Sequence, residues 1–110
     1  MSCSVIPIEN FKKEAKRLIK KYPSLKKELI ELSNILEENP TTGTPLGNNI
    51  YKVRIAISSK GKGKSGGARI MTFVKIIDEI VYLFSIYNKG DKDSITIEEI
   101  TTILKNEDLL

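Results

Sequence analysis

Residues 50–77 read IYKVRIAISSKGKGKSGGARIMTFVKII, and the segment after the glycines decides the fold. The opening of this stretch alternates with a period of two. Tyr51, Val53, Ile55 and Ile57 are separated by Lys52, Arg54, Ala56 and Ser58, the pattern of a half-buried strand with Lys52 and Arg54 on its open face. Residues 58–69 then put three lysines, four glycines and an arginine into twelve positions. Gly61, Gly63 and Gly66 spell GxGxxG, and Gly63-Lys64-Ser65 ends a Walker-like string. Both phosphate motifs need a helix directly after the loop, because its N-terminus meets the phosphates. Here the next residues are ARIMTFVKII, β-branched and aromatic, which read as a second strand. The position five before Gly63 is moreover Ser58, where the Walker pattern requires glycine. The glycine loop therefore closes a hairpin, and nucleotide-binding folds are set aside.

Outward from the hairpin, EIVYLFSIY continues an antiparallel meander, with Asp78 and Glu79 at the intervening turn. Upstream the period is 3.6. Ile8, Phe11, Ala15, Leu18, Ile19 and Tyr22 form one apolar stripe that Pro23 ends, and Leu25, Leu29, Leu32 and Leu36 form a second after Ser24, a candidate N-cap. Two helices with so short a joint are expected to pack antiparallel. The tail TIEEITTILKNEDLL carries Ile97, Ile100, Ile103 and Leu104 on one stripe, with Thr96 and Glu99 spaced as a capping box. SVIPI reads as a short edge strand broken by Pro7. The expected fold is α+β: a two-helix antiparallel hairpin on a small, mainly antiparallel sheet of three to four strands, with a short C-terminal helix, in a single domain over residues 1–110.

The composition bounds the chemistry. The chain has no histidine, which removes the usual general base, the usual zinc ligand and every Ser-His or Cys-His nucleophile. Cys3, the only cysteine, has no disulfide partner. No apolar run approaches a membrane span and no secretory signal is visible, so the expectation is a cytoplasmic protein without a membrane partner. The net charge of +4 hides a sharp segregation. Residues 1–38 carry eight basic and six acidic side chains, residues 39–77 seven and none, and residues 78–110 three and eight. An acid-free basic block points to a polyanionic partner, above all nucleic acid. Lys60, Lys62 and Lys64 lie on the pliable loop, where glycine lets the backbone approach a ligand and each lysine can meet a phosphate. Lys13, Arg17 and Lys20 share one side of the first helix, a second basic surface or simply a solvated face.

The order of a helix pair, YKVRIA, KGKSGGARIM, VYLFSIYNKGDKDSIT and a terminal helix resembles the RelE/ParE superfamily of bacterial toxins, and looks closest to its HigB-like branch. The resemblance implies a RelE-like fold and ribosome-dependent cleavage of messenger RNA without metal or cofactor, opposed by a cognate antitoxin. It implies that Arg69, opening the strand after the glycine loop, stabilises the phosphorane-like transition state. Lys52 and Arg54 match the basic pair on the preceding strand, Lys89 the lysine after the last strand, and Tyr87 a tyrosine position of HigB-like proteins. Attack of a ribose 2′-OH on the adjacent phosphate needs charge stabilisation and modest proton transfer, which preorganised cations supply. Lys52 or Lys89, crowded by like charges, is the candidate for proton transfer, while arginine stays charged.

Two departures from the family pattern are visible. A C-terminal tyrosine of some members would fall near Thr96 and a second arginine near Gly90; neither is present, so Tyr87, Lys92 and the loop lysines would have to substitute. A ParE-like gyrase inhibitor and a non-catalytic RNA-binding module are the competing readings.

Overall fold

The structure is a computed structural model and describes residues 2–61 and 63–110, the side chain of Ser65 excepted. The hairpin anticipated across the glycine loop forms between β3 (Ile50–Ile55) and β4 (Ala68–Lys75), paired antiparallel from Ile50 opposite Phe73 to Ile55 opposite Ala68. Strand β5 (Ile80–Asn88) then pairs antiparallel with β4. The turn between them lies where Asp78 and Glu79 were expected, with Glu79 N–H on the Ile76 carbonyl at 3.1 Å and Glu79 at φ 56°.

The sheet has five strands, not three to four, in the order β1-β5-β4-β3-β2. Strand β1 (Ser4–Pro7) is the edge strand anticipated around Pro7, and it adds parallel to β5. Strand β2 (Thr44–Gly47) lies within what reads as a Gly/Pro/Asn loop and pairs antiparallel with β3. It escapes the sequence because all four of its residues, TPLG, are exposed. An edge strand with neither face buried has no alternation to betray it.

Helices α1 (Glu9–Lys21) and α2 (Leu25–Glu38) cover one face of the sheet. Phe11, Ala15, Leu25, Leu32 and Leu36 pack there against Val53, Ile57, Ile70, Val74, Val81, Leu83 and Ile86. Helix α3 (Ile97–Asn106) lays Ile100 and Leu104 against the other face, on Ile50, Met71, Phe73, Phe84 and Tyr87. Covered on both sides, β4 is buried from Ala68 to Val74. Each such fully buried Leu, Ile or Phe contributes about 1.5–3 kcal/mol over its exposed state. Thr96 caps α3 through the anticipated box: its hydroxyl accepts from Glu99 N–H at 3.1 Å, and Glu99 Oε1 accepts from Thr96 N–H at 3.1 Å. Ser24 stands at the N-cap of α2 but its side chain does not cap; it bonds Glu28 and Ser59 instead.

Two irregularities position the site. Between Met71 and Thr72 the β4–β5 register shifts, with Met71 opposite Ser85 and Thr72 opposite Leu83, so Phe84 is an extra residue in β5. The bulge reverses the alternation: Val81 and Leu83 point to the α1/α2 face, yet beyond it Ile86 does so and Tyr87 points to the α3 face. The pairing of β1 with β5 reaches Leu83, and α1 covers what lies beyond. Asn10 Nδ2 donates to the Phe84 carbonyl at 3.0 Å, and Glu14 Oε1 accepts from Ser85 Oγ at 2.8 Å and Ile86 N–H at 3.2 Å. Among the described residues no helix is long and apolar enough to cross a membrane.

Candidate active site

Directly opposed residues on neighbouring strands share a face of the sheet. Arg54 stands opposite Arg69, and Arg69 opposite Tyr87, so β3, β4 and β5 contribute one residue each to a row across the α3 face. Lys52, half-buried, lies two residues from Arg54 on that face, opposite Met71. The β3 alternation and the β5 bulge together create this row; neither strand alone would.

Arg69 is 5% exposed, and its Nη1 donates to the Lys64 carbonyl at 2.9 Å and its own strand's Ala68 carbonyl at 3.3 Å. Both of these acceptors are backbone carbonyls, which hold the guanidinium in place. Arg54 is exposed and donates from Nη1 to Thr44 Oγ1 at 3.2 Å. Tyr87 is 6% exposed and its hydroxyl has no hydrogen-bond partner among the described residues. Burial pushes its phenol above the ordinary value, while the charges of Arg69, Lys92 and Arg54 pull the other way and Glu99 adds a smaller upward push. The phenol therefore stays protonated at neutral pH, a hydrogen-bond donor set among cations. The Lys92 ammonium sits 5.8 Å from the Tyr87 ring centroid and is ion-paired to Glu99.

The other residues singled out from the sequence divide. Lys89 binds Asp93 Oδ1 at 3.1 Å. Lys64 is exposed beside Arg54 on a groove of about 300 Å³ that Glu28, Glu31 and Ile35 also line. Lys60 does not project from the loop: its ammonium donates to the Gly66 carbonyl and to Asn88 Oδ1, both at 2.6 Å, and lies over the Tyr22 ring. Lys62 lies outside the described residues. Of the α1 cations, Arg17 reaches a cavity of about 260 Å³ that Tyr87, Asn88, Asp91 and Lys92 also line, whereas Lys13 and Lys20 are exposed on the helix.

The glycines serve the loop itself. Gly61 adopts φ 71°, a left-handed conformation closing a 3-10 turn over Ser58–Lys60. At Gly67 a Cβ would stand 1.9 Å from the Ile55 carbonyl oxygen, so the loop packs back onto the end of β3. That is close approach to backbone, in a place where the sequence suggested close approach to a ligand.

A protein-family model described as the RelE toxin of the RelE / RelB toxin-antitoxin system matches residues 8–108. The chain belongs to the RelE toxin family. Among solved structures, the free state of an Escherichia coli toxin RelE mutant with two arginines changed to alanine is similar at a TM-score of 0.59 and 20% identity, covering 96% of this chain and 98% of that one. That likeness bears on the fold. Among curated protein sequences, none matches. The protein is thus the toxin of a toxin–antitoxin system, and membership implies an antitoxin as partner and the ribosome as place of action. RelE-family toxins are ribosome-dependent endoribonucleases, and this toxin inhibits translation by cutting messenger RNA.

Sequence reasoning passed over Asn88, Tyr22 and Gly67, which hold this site together. Asn88, 4% exposed, meets Lys60, Tyr22 and Asp91. Its position in IYNKG reads only as the end of a strand.

Proposed function

We propose that the Arg54–Arg69–Tyr87 row, with Lys52 beside it, is the catalytic centre, and that it cleaves messenger RNA by attack of a ribose 2′-OH on the adjacent phosphate. The observation that carries this reading is the row itself: two guanidiniums and a protonated phenol on one face of three paired strands. Arg69, held by carbonyls within the fold, is preorganised to meet the charge of the phosphorane and costs little reorganisation when that charge develops. Arg54, more exposed, engages another non-bridging oxygen. Tyr87 donates to the departing 5′-oxygen. Lys52, as its neutral amine, takes up the 2′-OH proton in this scheme; Lys89, its alternative, would first have to leave Asp93.

Lys64, Lys62, Lys13, Arg17 and Lys20 supply phosphate contacts to ribosomal and messenger RNA, each worth about one released counterion in the salt dependence, and Lys92 joins them only on leaving Glu99. The lysine-glycine loop and IYNKGDKDSIT favour the HigB-like branch within the family. The toxin acts as a single domain in the cytoplasm, where its ribosome, messenger and antitoxin are.

The test is expression from an inducible promoter with 5′ ends mapped on transcripts during growth arrest, beside cleavage by the purified toxin on programmed ribosomes. New 5′ ends that need ribosomes are expected. Arg69→Ala should cut the rate by about a hundred- to a thousand-fold. Arrest with intact messages and trapped gyrase–DNA complexes would instead identify a ParE-like poison.

A further inference from the structure

The glycine loop is braced at both ends. At its start, Ser58 donates from N–H and Oγ to Glu28 Oε2 at 2.8 and 2.7 Å, and Ser24 and Ser59 bond reciprocally, each N–H to the other's hydroxyl at 3.0 Å. At its end, Lys89 N–H donates to the Gly67 carbonyl at 3.0 Å. Between these braces the Lys60 ammonium turns inward onto the Gly66 carbonyl and Asn88 Oδ1. Asn88 is itself fixed, donating to Tyr22 Oη at 3.4 Å and Asp91 Oδ2 at 3.2 Å, and Lys60 lies 5.5 Å from the Tyr22 ring centroid. The 3-10 turn Lys64–Gly66 that Lys60 grips is the turn whose Lys64 carbonyl receives Arg69 Nη1.

We propose that Lys60 is a positioning residue: clamped between Gly66 and Asn88, it holds the Lys64–Gly66 turn and, through the Lys64 carbonyl, aims the Arg69 guanidinium. This rests on the reading of Arg69 as the transition-state group. A charge-assisted hydrogen bond is about twice as strong as a neutral one, and here two acceptors and a ring face converge on one ammonium. The Lys64–Gly66 turn, part of a stretch that reads as pliable in sequence, is thereby held against Arg69. Lys60 and Lys64, equivalent by sequence, then have different tasks: Lys60 holds the Lys64–Gly66 turn, and Lys64 turns its side chain to solvent and its carbonyl to Arg69.

The test uses the full chain with Lys60→Met, which keeps an unbranched apolar stem and removes the ammonium, together with Lys60→Arg and Asn88→Ala. Single-turnover cleavage at saturating ribosome should fall about tenfold to a hundredfold in Lys60→Met, as expected for misaligned geometry. KM and the salt dependence of ribosome binding should stay as in the wild type, and Lys60→Arg should restore most of the rate. Asn88→Ala should reproduce the loss with no change in the number of cations, and the double variant should be no slower than the worse single one. Without ribosomes, hydrogen exchange at the Lys89 and Gly67 amides should quicken in Lys60→Met while the melting transition stays cooperative. A normal saturated rate with weaker binding and a salt slope lower by about one counterion overturns the proposal and makes Lys60 a phosphate contact. Unchanged exchange at both amides also overturns it. Arg69→Ala is run alongside: full activity there marks the failure of the active-site reading itself, and the inference falls with it.

Discussion

Arg54 and Arg69 stand directly opposite each other across the β3–β4 ladder. Like charges so placed work against the strand pairing, by about 0.2–1 kcal/mol relative to a neutral pair. No acidic residue occurs anywhere from 39 to 77. A bound polyanion would offset the repulsion between the two guanidiniums.

Arg54→Gln should therefore stabilise the free toxin and weaken it as an enzyme. A gain of about 0.2–1 kcal/mol corresponds to a few degrees in the melting temperature of a domain this size. Calorimetry beside ribosome-dependent cleavage checks both halves. A variant that melts lower would mean that the Arg54 bond to Thr44 outweighs the repulsion.

Tyr87→Phe separates the phenol's catalytic use from its structural one. A buried hydroxyl without a partner costs about 1–3 kcal/mol of desolvation, so its removal should leave stability equal or higher at neutral pH while cleavage slows. The folded phenol titrates above its ordinary 10.0. The stability that depends on keeping it neutral is present below pH 10 and lost as pH rises through the folded value, and Tyr87→Phe should abolish that alkaline loss. A clear drop in melting temperature at pH 7 would show that the hydroxyl is bonded.

The Lys92–Glu99 pair should govern the acid side. The hydrogen bond from Lys92, then that from the Thr96 backbone, holds the Glu99 carboxyl below its ordinary 4.5. Its contribution to stability is thus present above pH 4.5 and lost as pH falls through the lower folded value. Glu99→Gln should flatten that acid limb and, because the pair is part-exposed, cost at most about 1 kcal/mol at neutral pH. It should also release Lys92 beside Tyr87, steepening the salt dependence of ribosome binding by about one counterion. An unchanged slope would show that Lys92 does not meet RNA.

Gly67→Ala should damage the toxin more than its size suggests. The new methyl carbon would meet the Ile55 carbonyl oxygen at 1.9 Å, and that oxygen is backbone with no rotamer to give. The resulting shift should cost about 1–3 kcal/mol and slow cleavage by displacing the Lys64 carbonyl from Arg69. Urea unfolding and single-turnover rates measure the two effects. A variant with wild-type stability would mean that the loop can lift off β3 freely.

The elements and the electrostatic sense of the molecule are written in local sequence. Helix and strand periods are local quantities: the stripe from Phe11 to Leu18, the alternation from Tyr51 to Ile57 and the Thr96–Glu99 spacing each need only neighbouring residues to be legible. The acid-free block is likewise a matter of counting. Other features depend on which distant backbone groups meet in the fold. The bulge at Phe84 swings Tyr87 onto the face of Arg69, although uninterrupted alternation from Val81 and Leu83 would have sent it to the α1/α2 core. Strand β2 exists because β3 offers it a ladder, since its own side chains bury nothing. Lys60, one of three similar lysines of the glycine loop, faces inward because the Gly66 carbonyl and Asn88, one on either side of β4 in sequence, converge on its ammonium. A hydrogen bond across 28 residues leaves no trace in local composition. It is decided by strand register, which the fold sets as a whole.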